Sequence, residues 1–328
     1  MSTEEKIIDI HCHLARINTY FKDMKDISFK NSKYLVFYKL WAKLIHMDWS
    51  NDVAELNGRF EKKLLELTNQ SRINHFVILP LDGVYDKNGE LINEDSVFYT
   101  SNDDIYEFCK KTEKLIPSAS INPMRKDAFE ELSKAVDREC ALIKWLPGLQ
   151  IFNPASEQAL NFARKCKEYN MPILIHLGQE FSFPGLKLEK KYHKLDTLTA
   201  LLETGCKIIV AHAGGFSFLR EKKTVSTLEN LAKKFPNLYF DNSGMLVYQR
   251  RSRLLLLRKN PLLMSRLIFG TDYPCYAHTL PFVLNIKPQY TLEAMQTKNI
   301  FDRDAKIKKY LGFNHDIFAR GYDVIYKK

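Results

Sequence analysis

The sequence predicts a closed (β/α)₈ TIM barrel formed as one domain over residues 1–328. Three observations carry that expectation: eight short apolar, β-rich runs recur along the chain, segments with helical spacing separate most of them, and no Gly-rich turn follows the first run. An open doubly wound sheet would more often carry such a turn after its first strand, so the alternation favours closure. A chain of 328 residues with 45% hydrophobic content can bury one large core.

Strand one is predicted at 7–13 (IIDIHCH) and strand two at 75–81 (HFVILPL). VAELNGRFEKKLLELTNQ, 53–70, supplies the helix between them, which leaves residues 15–52 as a helical insertion. In a barrel this connection emerges at the face where active sites sit. SKYLVFYKLWAKLIHMDW within it has two readings, a lid or pocket wall, or extra core docked through Tyr34, Phe37, Trp41 and Leu44.

SNDDIYEFCKKTEK opens on Ser101 with Asp104 three residues on, a capping box, and leads into strand three at 115–121. DAFEELSKAVDREC precedes strand four (141–146), SEQALNFARKCKEYN strand five (172–177) and LDTLTALLETG strand six (207–212). TVSTLENLAKKF precedes strand seven (238–243), and strand eight is placed at 267–272. RRSRLLLLRK is read as a barrel helix with its leucines inward; the alternative is a membrane-surface or subunit-contact helix.

Forty-nine Lys and Arg against thirty-nine Asp and Glu leave a net charge of +10. The basic residues spread over helix flanks without aromatic interleaving, so a solvated surface explains them and no nucleic-acid partner is expected. The six cysteines form no Cys-x-x-Cys pair, which excludes a zinc ribbon and a thioredoxin-like site and suits a reducing compartment. MSTEE does not resemble a secretory signal and no apolar run is long enough for a bilayer, so the expected location is cytoplasmic, with no membrane span. No internal repeat or linker suggests a second domain.

Side chains alternate across a strand, so His11 and His13 project one way and Cys12 the other. His176 ends strand five, His212 strand six and Asp272 strand eight, each at the C-terminal edge of its run. A lone strand histidine is more often a core residue, and Asp272 alone could be a turn residue. Five such residues at one barrel face point instead to a metal site, for which imidazole suits zinc, iron, nickel or manganese.

These segments resemble the amidohydrolase superfamily, in the branch of metal-dependent decarboxylases and lactone or amide hydrolases. DIHCHL, ILIHLG, IVAHAGG and FGTDYP match its motifs on strands one, five, six and eight, and IKWLP its strand-four lysine segment. The likeness runs from Ile7 to about Pro274, and a tail at 299–312 also looks familiar. By that resemblance His11, His13 and His176 are metal ligands, and Asp272 is both a ligand and the base that takes a proton from water. His212 would face the substrate, polarising its carbonyl or acting as acid and base. The cofactor implied is a divalent metal, zinc first, with manganese or iron as alternatives.

Lys144 opens a fork. It shares a side with Leu142 and Leu146, where burial would lower a lysine pKa. In some relatives of the superfamily such a lysine is carboxylated and bridges two metals, with His176 and His212 then on the second ion. In the branch with phrases like IKWLP one metal is usual, and the lysine pairs with a carboxylate or the substrate; one ion is favoured over two. A snorkelling side chain that reaches solvent is the third reading. Strand seven offers Asp241 and Ser243 on one side and Asn242 on the other, with the inward side open. Trp145 is out of phase with Lys144 and expected against helices, while Gln179, Glu180 and the FSFPG loop could line the pocket.

The expected function is a metal-dependent hydrolase that uses metal-activated water to cleave an ester, lactone or amide of a small-molecule substrate. The alternative is a metal-dependent decarboxylase of an aromatic or unsaturated carboxylic acid. A glutamate at the first position of the strand-one pair would have leaned towards the decarboxylases. A barrel without catalysis is disfavoured because no candidate ligand is missing, and a homo-oligomer is left open.

Overall fold

The computed structural model describes residues 6–27, 33–178, 183, 186, 188–214 and 221–326. Each predicted run holds a strand: β1 (Ile8–His13), β2 (His75–Leu79), β3 in two pieces (Leu115–Pro117 and Ala119–Ser120), β4 (Ile143–Trp145), β5 (Ile173–Ile175), β6 (Ile208–Val210), β7 (Leu238–Asp241) and β8 (Leu267–Ile268). Neighbours pair in parallel and in chain order. Ser118 interrupts β3, and its hydroxyl donates to the Ile78 carbonyl at 2.7 Å, so the first piece pairs with β2 and the second with β4. On the other seam the Ile10 amide donates to the Phe269 carbonyl, that of Asp272 to His11 and that of His13 to Tyr273, at 3.2, 2.7 and 3.0 Å. These bonds return β8 to β1, and the architecture is a TIM barrel.

Alternation along the strands sorts the core into two layers. Phe76, Ile143, Trp145, Ile175 and Phe240 face outwards and pack under the helices with Leu64, Phe162 and Leu257. Val77, Leu142, Leu174, Ile209 and Ile268 fill the bore, where Val324 and Ile325 of the helix His315–Tyr326 close one end. Trp145 thus packs against a helix, Glu157–Glu168, as its phase predicts, with its ring 5.7 Å from that of Phe162.

β1 departs from plain alternation. Ile8 and Ile10 lie in the bore, which would put Cys12 there too and turn His11 and His13 outwards. The register against β2 slips by one residue between Asp9 and Cys12, a β-bulge that reverses the phase. Cys12 then joins the outer layer, fully buried. Asp9 closes the bulge: its Oδ1 accepts the His11 and Thr271 amides at 2.9 and 3.0 Å, and its Oδ2 the Thr271 hydroxyl at 2.5 Å.

The helix Val53–Gln70 occupies its predicted span, capped by Asp52, whose side chain accepts the Glu55 amide. Ser101 caps Asn102–Cys109 by accepting from the Asp104 amide, as the capping box predicts. In Arg251–Arg258, Leu254 and Leu257 are buried in the outer layer, with Leu255 and Leu256 packed against it, so the leucines of RRSRLLLLRK do face the barrel. All six cysteines are free thiols. Among the described residues no helix is long and apolar enough to cross a membrane.

The insertion carries the helix Lys33–Leu44, but not with the contact set expected from spacing. Phe37 and Leu44 are exposed, and the Tyr34 side chain lies outside the described residues. Tyr38, Trp41 and Ala42, with Ile45 just beyond the helix, form the inward arc and line a cavity at the barrel mouth. Those positions fall on one helical face at three- and four-residue steps; a grouping of 34, 37, 41 and 44 is rotated off it.

Candidate metal centre

His11 and His13 reach the barrel mouth because of the bulge, and Asp272 because β8 continues the phase of Ile268 through Gly270. Gly270 allows a close approach, since a Cβ there would lie 2.8 Å from the His11 Cβ and 3.0 Å from that of Ser243. Asp272 and His212 both have left-handed backbone, at φ 65° and 53°. A non-glycine residue pays for that conformation, and such residues concentrate at functional sites.

Three donor atoms converge. His11 Nε2 and His13 Nε2 are 3.1 Å apart, and Asp272 Oδ1 lies 3.4 Å from the first and 3.7 Å from the second. Tetrahedral zinc with ligand bonds near 2.1 Å places its donors about 3.4 Å apart, so the three fit one ion. Burial holds the His11, His13 and His212 imidazoles well below their ordinary pKa, with the Lys144 charge adding to this at His11 and His13 and the Arg250 charge at His212. Neutral rings leave lone pairs for a metal.

The ring of His11 is held from behind. Its Nδ1 lies 2.7 Å from Asp241 Oδ2, so the proton sits on Nδ1 and the Nε2 lone pair faces the cavity. Asp241 Oδ1 accepts the Ser243 hydroxyl at 2.6 Å and the amides of His212 and Ser243 at 2.8 and 3.0 Å. Because the Ser243 carbonyl can only accept, His212 Nδ1 donates to it at 2.8 Å, and Nε2 is left as the acceptor, 3.7 Å from Asp272 Oδ2. Tyr239 packs on the bore and Phe240 outwards, which turns Asp241 inwards and resolves the side left open for strand seven.

Lys144 is 1% exposed, and its Nζ lies 3.0 Å from His11 Nε2. It does not snorkel to solvent; it stands in the bore at the centre of the cluster. His176 lines the same cavity with its ring 5.1 Å from that of His212, beside the His11, His13 and Asp272 triangle. Phe183 of the FSFPG loop also lines the cavity, whereas Gln179 and Glu180 lie outside the described residues. The structure therefore brings His11, His13, Lys144, His176, His212 and Asp272 together, turns Asp241 and Ser243 of strand seven towards them, and adds Asp9 and Arg250, whose Nη1 is 3.7 Å from Asp272 Oδ2. Asp9 stood in the strand-one motif with no role assigned, and Arg250 lay in a basic stretch whose sequence gave no sign of the contact.

No curated protein sequence matches this chain. Among solved structures, a TIM-barrel protein from Bordetella bronchiseptica is similar at TM-score 0.56 and 16% identity, over 94% of this chain and 99% of that one. 4-Oxalomesaconate hydratase from Rhodopseudomonas palustris is similar at 0.54 and 15%, over 98% and 95%. 5-Carboxyvanillate decarboxylase from Sphingomonas paucimobilis is similar at 0.53 and 11%, over 96% and 99%. At these identities the likeness speaks for the barrel. A family model described as Amidohydrolase matches residues 8–281, which includes every residue of the cluster above, and the chain belongs to the amidohydrolase family.

Proposed function

We propose that this chain is a metal-dependent hydrolase that cleaves an ester, lactone or amide bond of a small molecule with water. The observation that carries the reading is the triangle of His11 Nε2, His13 Nε2 and Asp272 Oδ1 at the floor of a cavity, with the His11 tautomer set by Asp241. His11, His13, His176 and Asp272 would hold one divalent ion, and three imidazole nitrogens with a carboxylate suit zinc, with manganese and iron as alternatives. Such an ion, when bound, supplies Lewis-acid polarisation of a carbonyl and lowers the pKa of water to about 7.

The chain's own residues supply the proton path. Asp272 Oδ1 faces the two imidazoles, and Oδ2, on the His212 side and in contact with the Cys275 thiol at 3.3 Å, would accept the proton of the attacking water. His212 Nε2, an acceptor in this tautomer, can take that proton on and return it to the leaving oxygen or nitrogen. The same tautomer favours acid and base work over polarisation of a carbonyl, which would need a donor at Nε2. Lys144, buried and uncarboxylated in the one-ion reading, offers its ammonium to the oxygen that gains charge.

The test is a panel of esters, lactones, amides and aromatic carboxylates assayed on the metal-loaded protein, with hydrolysis and CO₂ release scored separately. Hydrolysis without CO₂ release is expected, and Asp272→Asn should lose at least about 100-fold in turnover. Full turnover in that variant would overturn the mechanism. CO₂ release alone would replace the reading with a decarboxylase of an aromatic or unsaturated acid.

A further inference from the structure

The cavity over the triad has a volume of about 120 Å³. Its chemistry is divided between floor and wall: the histidines, Lys144 and Asp272 lie at the floor, and the insertion and the loops facing it supply the wall. Among the described residues, three polar handles on that wall are engaged elsewhere. The Trp41 indole donates to the Pro274 carbonyl at 3.0 Å and the Trp49 indole to Asn51 Oδ1 at 2.9 Å, so each ring turns carbon to the cavity. Asn57 exchanges both its amide bonds with the Ile17 backbone, at 2.9 and 2.8 Å. Tyr38, Phe98 and Phe183 follow one another in contact, with ring centroids 5.7 and 5.0 Å apart. Lys144 is the one Lys or Arg among the described residues that line the cavity.

We propose that the substrate carries an uncharged apolar group about the size of one ring, and that the insertion, through Trp41 above all, selects it. This names the substrate class of the proposed hydrolase and rests on that reading only for where the scissile bond lies. An apolar cavity of roughly 150 Å³ accommodates benzene, and the space here, at about 120 Å³ and open at the barrel mouth, suits at most one small ring or a short branched alkyl chain. A second carboxylate in that position would lose its hydration and find no Lys or Arg among the described residues of the wall to pair with, which disfavours polycarboxylates. The apolar wall repays burial of a ring by the hydrophobic effect.

Phenylacetate and succinate separate the cases, since both carry the carboxylate that hydrolysis would leave, and differ in having a ring or a second carboxylate beyond it. Isothermal titration of the metal-loaded full chain should show phenylacetate binding at least about 10-fold tighter than succinate. Trp41→Ala should weaken phenylacetate about 10-fold and leave succinate unchanged, and Trp41→Phe should restore most of the loss. Metal content equal to wild type checks that the variants keep the triad. Succinate binding as tightly as phenylacetate, or Trp41→Ala acting on both or on neither, would overturn the assignment. If phenylacetate binds as expected and its esters and amides are not hydrolysed, the hydrolase reading fails while the specificity of the pocket stands.

Discussion

Asp241 Oδ2 lies 2.7 Å from His11 Nδ1, and this contact decides which nitrogen of His11 carries the proton. Asp241 also accepts the His212 and Ser243 amides and the Ser243 hydroxyl, so one carboxylate orients two of the site histidines. Asp241→Asn would remove the negative charge that, in the proposed reading, would make His11 a better metal ligand. Metal affinity, read by chelator competition, should fall about 10- to 100-fold with the far-UV circular dichroism unchanged.

Lys144 distinguishes one ion from two. Its amine faces His11 Nε2 from within the bore, with no second set of donors needed to explain its position. Wild type and Lys144→Met should both bind about one metal ion per chain by elemental analysis, while hydrolysis falls at least about 10-fold in the variant. Two ions in wild type and one in the variant would show a carboxylated, bridging lysine.

Cys12 is buried in the outer layer, away from the triad it adjoins in sequence. Cys12→Ala should cost about 1 kcal/mol in urea unfolding by removing a small buried sulfur. The metal stoichiometry and the affinity should not change, and a drop in either would make the thiol a ligand.

The helix His315–Tyr326 seats on β1 through Gly321, where a Cβ would lie 2.6 Å from Ile8 Cγ2 and 2.8 Å from Ile10 Cγ2. Gly321→Ala should therefore lower stability by about 1–3 kcal/mol, read as a shift in the urea midpoint. An unshifted midpoint would mean that the helix does not press on the base of the barrel.

His75 Nδ1 and the Tyr322 hydroxyl are 2.6 Å apart, and burial with nearby Lys6 and Lys114 pulls the imidazole pKa below its ordinary value. Below about pH 6.5 the unfolded chain takes up this proton and the folded chain resists it, so the contribution of His75 is present above that pH and fades as the pH falls. His75→Gln should be about 1 kcal/mol less stable near pH 7.5, and the gap to wild type should narrow towards pH 5.5. A gap that widens on acidification would contradict the sign.

The eight strands and the helices 53–70 and 102–109 were legible because their signals are local. Apolar period and caps depend on a few neighbouring residues, and those determine the element wherever the chain later packs. The site histidines and Asp272 were legible as residue types at strand ends, and their likeness to a known family located them further. Of the two readings of the insertion, its helix lines the cavity through Tyr38, Trp41 and Ala42, and the sequence left its inward arc open because the helix is apolar on both sides, with Val36, Phe37 and Leu40 exposed.

The sequence by itself determined a (β/α)₈ chain with His11, His13, His176, His212, Lys144 and Asp272 on the strands of one barrel. Only the tertiary structure decided how they meet. The bulge in β1 is a property of its pairing with β2 and carries no mark in IIDIHCHL, yet without it the histidines would point into the helix layer and Cys12 into the bore. The tautomers of His11 and His212 depend on Asp241 and Ser243, some 30 to 230 residues away in sequence. Ligand geometry is set by such long-range contacts, because a metal requires donors placed to within a fraction of an ångström and local propensity positions no side chain that finely.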